Sequence, residues 1–227
     1  MAAASHKGPL DPDEFRSIIA TAVDGFLMVD LTGHILDAND SYCKLMGYSR
    51  EELLNTHLSE IDPIDNLEDV AKRSEEIIRA GSLRFESKHL HKSGAAIDVE
   101  VSSNYSAAHG GSFFSFIRDI TSQKRTREVV AVRLRLTEYA RNHSVDELLR
   151  MALDEAEAVT GSSIGFYHFL GSDQQTLALH SWSSRTASQF CKAEGSGNHY
   201  HISQAGVWAD CVRERQPVIH NDYATLP

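Results

Sequence analysis

The sequence predicts an α+β chain: a five-stranded antiparallel sheet with helices on one face, then a helical connector, then a partial second α+β domain. Three observations lead there. Leu83, Phe85 and Ser87 alternate with Arg84, Glu86 and Lys88, and Ile97, Val99, Val101 and Ser103 alternate with Asp98, Glu100 and Ser102, the two-residue period of half-buried strands. Capping-box pairs, in which a residue and the acid three positions on satisfy each other's backbone, open helices at Asp11/Glu14, Ser49/Glu52 and Ser144/Glu147. Residues 122–142 contain neither Gly nor Pro and are rich in Arg, Glu, Val and Leu, as an uninterrupted helix requires.

In chain order, residues 1–10 read as a flexible tail. Asp11 caps a helix with Pro12 at its first position and Phe15, Ile18, Ile19 and Ala22 at helical spacing. Gly25 ends it. Two short strands follow, Phe26–Asp30 and His34–Ala38, joined through Leu31-Thr32-Gly33. Asn39 or Asp40 caps a helix carrying Tyr42, Leu45 and Met46, and Gly47 stops it. After one more turn from Ser49, a longer helix has Val70, Ala71, Ile77 and Ile78 on its buried side and ends at Gly81. The alternating strands come next, joined by Lys92-Ser93-Gly94. A last strand, Ser112–Asp119, follows His109-Gly110-Gly111. Two strands, then helices, then three antiparallel strands make one domain whose helices cover one sheet face.

Within the connector, Val129, Val132, Leu136, Tyr139 and His143 follow a 3-4-3-4 rhythm. That fits either a coiled-coil seam or a helix packed on its own domain, because only about two heptads are present. Beyond Ser144, Leu148, Leu149, Ala152, Leu153, Ala156 and Val159 share a helical face that Thr160-Gly161 closes. Ser163–Phe169 and Thr176–Ser183 read as a hairpin, followed by a helix near Gln204–Glu214 and a strand at Pro217–His220. The expected organisation is a tail over 1–10, a first α+β domain over 11–122, a connector over 123–143 and a truncated domain over 144–227.

Composition narrows the function. A hydrophobic fraction of 41% with 24% charged residues is that of a globular chain. A formal charge of −10 argues against binding nucleic acid or an anionic membrane surface, both of which need basic surface. No apolar run approaches the ~18 residues of a membrane span, and the first residues lack a signal-peptide core. Cys43, Cys191 and Cys211 form no C-x-x-C pair and are odd in number, which favours free thiols and a cytoplasmic location.

The opening helix running into "DGFLMVD", the segment "LTGHILDAND" continuing into "SYCKLMGYSREELL", and the ending "FFSFIRDITSQKR" closely resemble the PAS family over residues 12–124. The stretches "DELLRMALDEAEAVTGSSIGFYHFL" and "AGVWADCVRERQPVIHNDYATLP" resemble the N-terminal part of a GAF domain of bacterial histidine kinases and diguanylate cyclases, over residues 134–227. The PAS resemblance implies a small apolar cavity between sheet and helices, and a hinge at Asp119 and Thr121 that turns strand tilt into helix rotation. Candidate cavity residues are Leu27 and Val29, Tyr42 and Leu45, Leu53 and Ile61, Val99 and Val101, and Phe114 and Phe116, with ordinary core packing as the competing reading. For the second domain, Trp208, His220, Asn221, Asp222 and Tyr223 are the candidate ligand contacts.

Cofactor signals are weak. Cys43 stands outside the Asn-Cys-Arg-Phe-Leu-type motif of covalent flavin photochemistry, and no C-x-x-C-H attaches a c-type haem. The region where haem-binding PAS domains place a ligand histidine, here 66–80, holds none, and the GAF portion is of a subgroup other than the bilin-binding one. Cys191, His199, His201, Cys211 and His220 match no zinc framework, so no metal ligands are assigned. Phosphate-binding, nucleophile-elbow and metalloprotease motifs are missing, so no enzyme activity is expected of this chain. The expected function is a sensory relay acting through the connector on a separate kinase or cyclase output. A homodimer through the PAS domain and connector helices is expected. A ligand-free PAS interaction module and a metal or haem redox sensor are the competing readings.

Overall fold

The computed structural model describes residues 11–62, 67–189 and 199–220. The tail expected over 1–10, Cys191, and Asn221, Asp222 and Tyr223 lie outside the described residues. The chain divides into two compact units, Met1–Thr126 and Arg127–Pro227.

In the first unit, α1 (Pro12–Thr21) starts from the Asp11/Glu14 capping box. Strands β1 (Gly25–Asp30) and β2 (Ile35–Ala38) follow, then α2 (Asp40–Met46), α3 (Arg50–Leu54), α4 (Leu58–Ile61) and α5 (Leu67–Ala80). Helix α4 was not legible in the sequence because its cap is His57, whose ring accepts from the Ser59 N–H while Glu60 closes the box. Strands β3 (Ser82–Leu90), β4 (Ala96–Ser106) and β5 (Ser112–Asp119) complete an antiparallel sheet in the order β2-β1-β5-β4-β3. The sequence-distant pair β1 and β5 therefore lies at its middle, with Leu27 opposite Ser115 and Val29 opposite Phe113.

The core lies between the helices and one face of this sheet. Leu27, Val29, Ile35, Val99, Val101, Phe113 and Ile117 come from the strands, and Tyr42, Met46, Leu53, Ile61 and Ile77 from the helices. Asn39 ties this entry together. It is 6% exposed, its Oδ1 accepts from the N–H groups of Phe26 (2.8 Å) and Tyr42 (2.9 Å), and its Nδ2 donates to the carbonyls of Ile19 and Asp24. One amide thus fixes the end of α1, the start of β1 and the first turn of α2, each of which would otherwise bury an unmatched backbone group.

Helix α6 (Thr121–Tyr139) begins one residue after β5. In the second unit, α7 (Val145–Thr160) is capped by the Ser144/Glu147 box and ended by Gly161 at φ 66, where a glycine avoids left-handed strain. Strands β6 (Phe166–Leu170), β7 (Thr176–Trp182) and β8 (His199–His201) form a sheet in that order, with α8 (Ser184–Gln189) between β7 and β8. Glu157 of α7 is 8% exposed and accepts from the hydroxyls of Ser183 (2.5 Å) and Thr186 (3.1 Å), anchoring α8 to α7.

Two expectations fail near the end of the chain. The helix expected over 204–214 is broken into 3-10 turns at Ile202–Gln204 and Val207–Ala209 and a short α9 (Asp210–Glu214), because Gly206 interrupts the run. The strand expected at Pro217–His220 is irregular. Among the described residues it has no ladder partner, and Ile219 stands 83% exposed.

Asn39→Ala should lower the unfolding free energy of the 227-residue chain by about 3 kcal/mol, since two buried N–H groups lose their acceptor. Asn39→Asp, which keeps the acceptor and loses the donors, should recover part of that. Urea denaturation of the three proteins measures both.

Candidate functional site

A cavity of about 210 Å³ lies between the sheet and the covering helices of the first unit. Its sheet wall is built from Leu27 and Val29 of β1, Phe85 and His89 of β3, Val101 and Ser103 of β4, and Phe113, Ser115 and Ile117 of β5. Opposite stand Leu58 of α4, Asp62, and Val70, Arg73, Ser74 and Ile77 of α5. Asp30, Leu31, Thr32, Gly33 and His57 form one rim. The His57 Nε2–H donates to the Thr32 carbonyl at 2.7 Å, so its ring stays over Gly33. The Arg73 guanidinium lies 4.0 Å from the centre of the Phe85 ring.

Of the residues expected here, Leu27, Val29 and Val101 line the cavity. Tyr42, Leu53, Ile61 and Val99 are fully buried in the core beside it, and Leu45 packs against that core. Phe114 and Phe116 are a correction. Strand parity turns them to the opposite sheet face, where the Phe116 ring meets Phe26 edge-on at 5.7 Å, while Phe113, Ser115 and Ile117 face inward. The segment Phe113-Phe114-Ser115-Phe116-Ile117 is apolar on both faces, so alternation alone does not choose between them.

Three polar side chains on the wall, His89, Ser103 and Ser115, were missed, although all lie on the apolar parity of their strands. Burial pushes the Tyr42 phenol up in pKa, so it stays protonated, and its hydroxyl donates to His89 Nδ1 across 3.1 Å. That leaves the His89 proton on Nε2, which is 3.9 Å from Asp62 Oδ2. On the neighbouring strands, Ser115 Oγ donates to Ser103 Oγ at 2.9 Å.

The exit from this sheet is a dense junction. Ile120, 5% exposed, donates its N–H to the Asp98 carbonyl at 2.9 Å. The Asp98 N–H donates to Thr121 Oγ1 at 3.2 Å, and Asp119 Oδ1 accepts from the Thr121 N–H at 2.8 Å. Lys124 Nζ then bridges Glu86 (2.8 Å) and Asp98 (3.0 Å), and both contacts raise its pKa. The sequence singled out Asp119 and Thr121. Asp98, Lys124 and Glu86 went unnoticed because their meeting depends on the register of β3, β4 and β5.

In the second unit, Trp208 stacks on His168 at 4.7 Å and meets Phe166 edge-on at 5.5 Å, and Phe166 in turn meets Trp182 at 5.8 Å. Burial lowers the His168 pKa. His220 Nε2 lies 3.3 Å from Asp210 Oδ2. Among the described residues, no three His, Cys, Asp or Glu side chains gather as metal ligands do. Cys43 is partly buried, which raises its thiol pKa and lowers its reactivity.

His89 makes stability depend on pH. Burial lowers its pKa from 6.5 to about 4. Between those values the unfolded chain takes up a proton that the folded chain refuses, so this contribution is full above pH 6.5 and falls away as pH drops towards 4. The loss should reach about 3 kcal/mol. Urea midpoints between pH 7 and 4 should fall more steeply for the natural chain than for His89→Gln; equal slopes would refute the assignment.

Residues 13–120 match the family model of the PAS fold, and residues 142–227 that of the GAF domain. The chain is 33% identical over 223 residues to the methyl sulfide methyltransferase-associated sensor of Methanosarcina acetivorans, covering 93% of this chain and 22% of that protein. It is 25% identical over 170 residues to the cell-division control histidine kinase PdhS of Brucella ovis, covering 71% of this chain and 16% of that one. It thus spans about a fifth of the length of these relatives. Among solved structures, a domain of a sensory box sensor histidine kinase/response regulator from Geobacter sulfurreducens is 27% identical with a TM-score of 0.42, covering 47% of this chain and 92% of that one. No helix among the described residues is long and apolar enough to cross a membrane. A five-stranded sheet roofed by helices, matched over its length by one family model and followed by a match to a second, makes this chain a member of the PAS and GAF families, a PAS domain followed by a GAF domain.

Proposed function

We propose that the chain is a cytoplasmic ligand-responsive relay. A small molecule in the PAS cavity changes the packing of β5, and α6 carries that change to an output outside these 227 residues, a histidine kinase or a diguanylate cyclase. The observation that carries this reading is the lack of slack between cavity and helix. Ile117 is a cavity wall residue, Ile120 is buried and bonded to β4, and Thr121 already belongs to α6. With one residue between strand and helix and five polar contacts fastening the junction, a tilt of β5 has no loop in which to dissipate. The cavity then biases two packings of the same junction, and its contents set their populations.

A second feature supports assembly as a dimer. Helix α6 has 19 residues and buries none of them, while Val129, Val130 and Leu134 are 47%, 60% and 59% exposed. Isolated helices gain most of their stability from packing, and here Val132, Leu136 and Tyr139 are only half-buried, which leaves apolar surface for a partner. A second copy, meeting along Val129, Val132, Leu136 and Tyr139, would make the connector a coiled coil and give rotation or register shift a direct readout. The same residues also serve the competing reading, a PAS dimeriser that binds no small molecule.

Two experiments test these proposals. Val101→Phe fills part of the cavity and should change amide hydrogen exchange across 121–130. Adding Thr121→Val, which removes the hydroxyl bonded to Asp98, should shrink that change at least threefold. Unchanged exchange in α6 on filling the cavity would sink the relay. For assembly, Val132→Glu with Leu136→Glu should convert a dimer to a monomer in sedimentation; a monomeric natural chain removes the coiled coil.

A further inference from the structure

Ser103 and Ser115 stand directly opposite each other on β4 and β5, 4% and 9% exposed, on the wall of the cavity. Each hydroxyl carries one proton and can accept as well. Their mutual hydrogen bond, 2.9 Å, uses one of the two protons. Neither hydroxyl has any other protein partner among the described residues. Whichever serine donates, one O–H is left over, and it lies in the cavity. The neighbouring wall positions are Leu27, Val101, Phe113 and Ile117, whose side chains offer that proton no acceptor. A buried donor without an acceptor is a cost that alanine at both positions would remove.

Size and charge narrow what could use that proton. Apolar cavities of about 150 Å³ hold benzene, so a cavity of about 210 Å³ holds one ring with a small substituent. One hydroxyl does not offset the burial of a full negative charge. The carboxylates Asp30 and Asp62 share the lining with Arg73, which lies against the Phe85 ring. An uncharged acceptor on an apolar body meets all of these conditions.

We propose that this cavity takes an uncharged, one-ring-sized molecule whose carbonyl-type oxygen accepts a hydrogen bond from the Ser103–Ser115 pair. This rests on reading the cavity as a ligand site and gives that ligand a chemical class. The pairing also makes the site tolerant of single changes. Removing either serine frees the proton of the other, so only the double replacement abolishes the donor.

The test compares three probes of similar bulk, acetophenone, ethylbenzene and benzoate, titrated into the 227-residue chain and followed by backbone amide chemical shifts of β4 and β5. Acetophenone should bind about tenfold more tightly than ethylbenzene, and more tightly than benzoate. Ser103→Ala and Ser115→Ala alone should each keep a preference for acetophenone, and the double variant should bind acetophenone and ethylbenzene within twofold while melting no lower than the natural chain. Equal binding of acetophenone and ethylbenzene by the natural chain overturns the acceptor inference and leaves the ligand-site reading standing. Tighter binding of benzoate, or a preference that survives in the double variant, also overturns it. If none of the three probes binds, the ligand-site reading falls with it. The natural-chain comparison decides even if the double variant does not fold.

Discussion

One residue, Ile120, separates the last strand of the PAS domain from the helix that leaves it, and its N–H is bonded to Asp98. The rest of the proposed mechanism depends on that constraint. Asp98 takes part through backbone and side chain together: its carbonyl holds Ile120, its N–H reaches Thr121, and its carboxylate holds Lys124. Strand β4 thereby fixes where α6 starts and which way its first turn faces. Because β4 pairs with both β3 and β5, a change anywhere in these three strands meets the helix through the same few bonds. The exposed ion pairs contribute little stability individually. Their role here is geometric.

The cavity wall divides its polar groups into settled and unsettled ones. Tyr42 and His89 satisfy each other at one side, with the imidazole kept neutral by burial. The serine pair on β4 and β5 leaves a proton over. The positions beside the pair are Leu27, Val101, Phe113 and Ile117, and an apolar surround of this kind gives a single hydroxyl directional influence out of proportion to its size.

The helices and strands of the first domain were legible because caps and periods agree. Asp11, Asn39 and Ser49 each start a helix, and β3 and β4 alternate cleanly. What failed has identifiable causes. Strand β5 is apolar on both faces, so Phe114 and Phe116 were assigned inward when they face outward. His57 is an uncommon cap, so α4 was missed. Pro217–His220 has β-branched residues but lacks a neighbour to pair with among the described residues. The cavity was half legible. Ser103 and His89 sit on the inward parity of their strands, yet a polar residue at such a position reads as a packing irregularity until the opposing strand is known. The junction was the least legible part, since Glu86, Asp98 and Lys124 converge only through register.

The position of β1 beside β5 has a consequence for how the domain comes together. The bidentate pair between Asp24 and Arg118 joins residues 94 positions apart, whereas β3, β4 and β5 can zip up from adjacent turns. Closing so long a segment is slow relative to local hairpins. The β1–β2 hairpin, carrying α1 and α2 through Asn39, is therefore a late-docking piece, and the compartment it seals does not exist until the chain has been synthesised past β5. On the ligand-site reading, no binding compartment exists before that final seam closes.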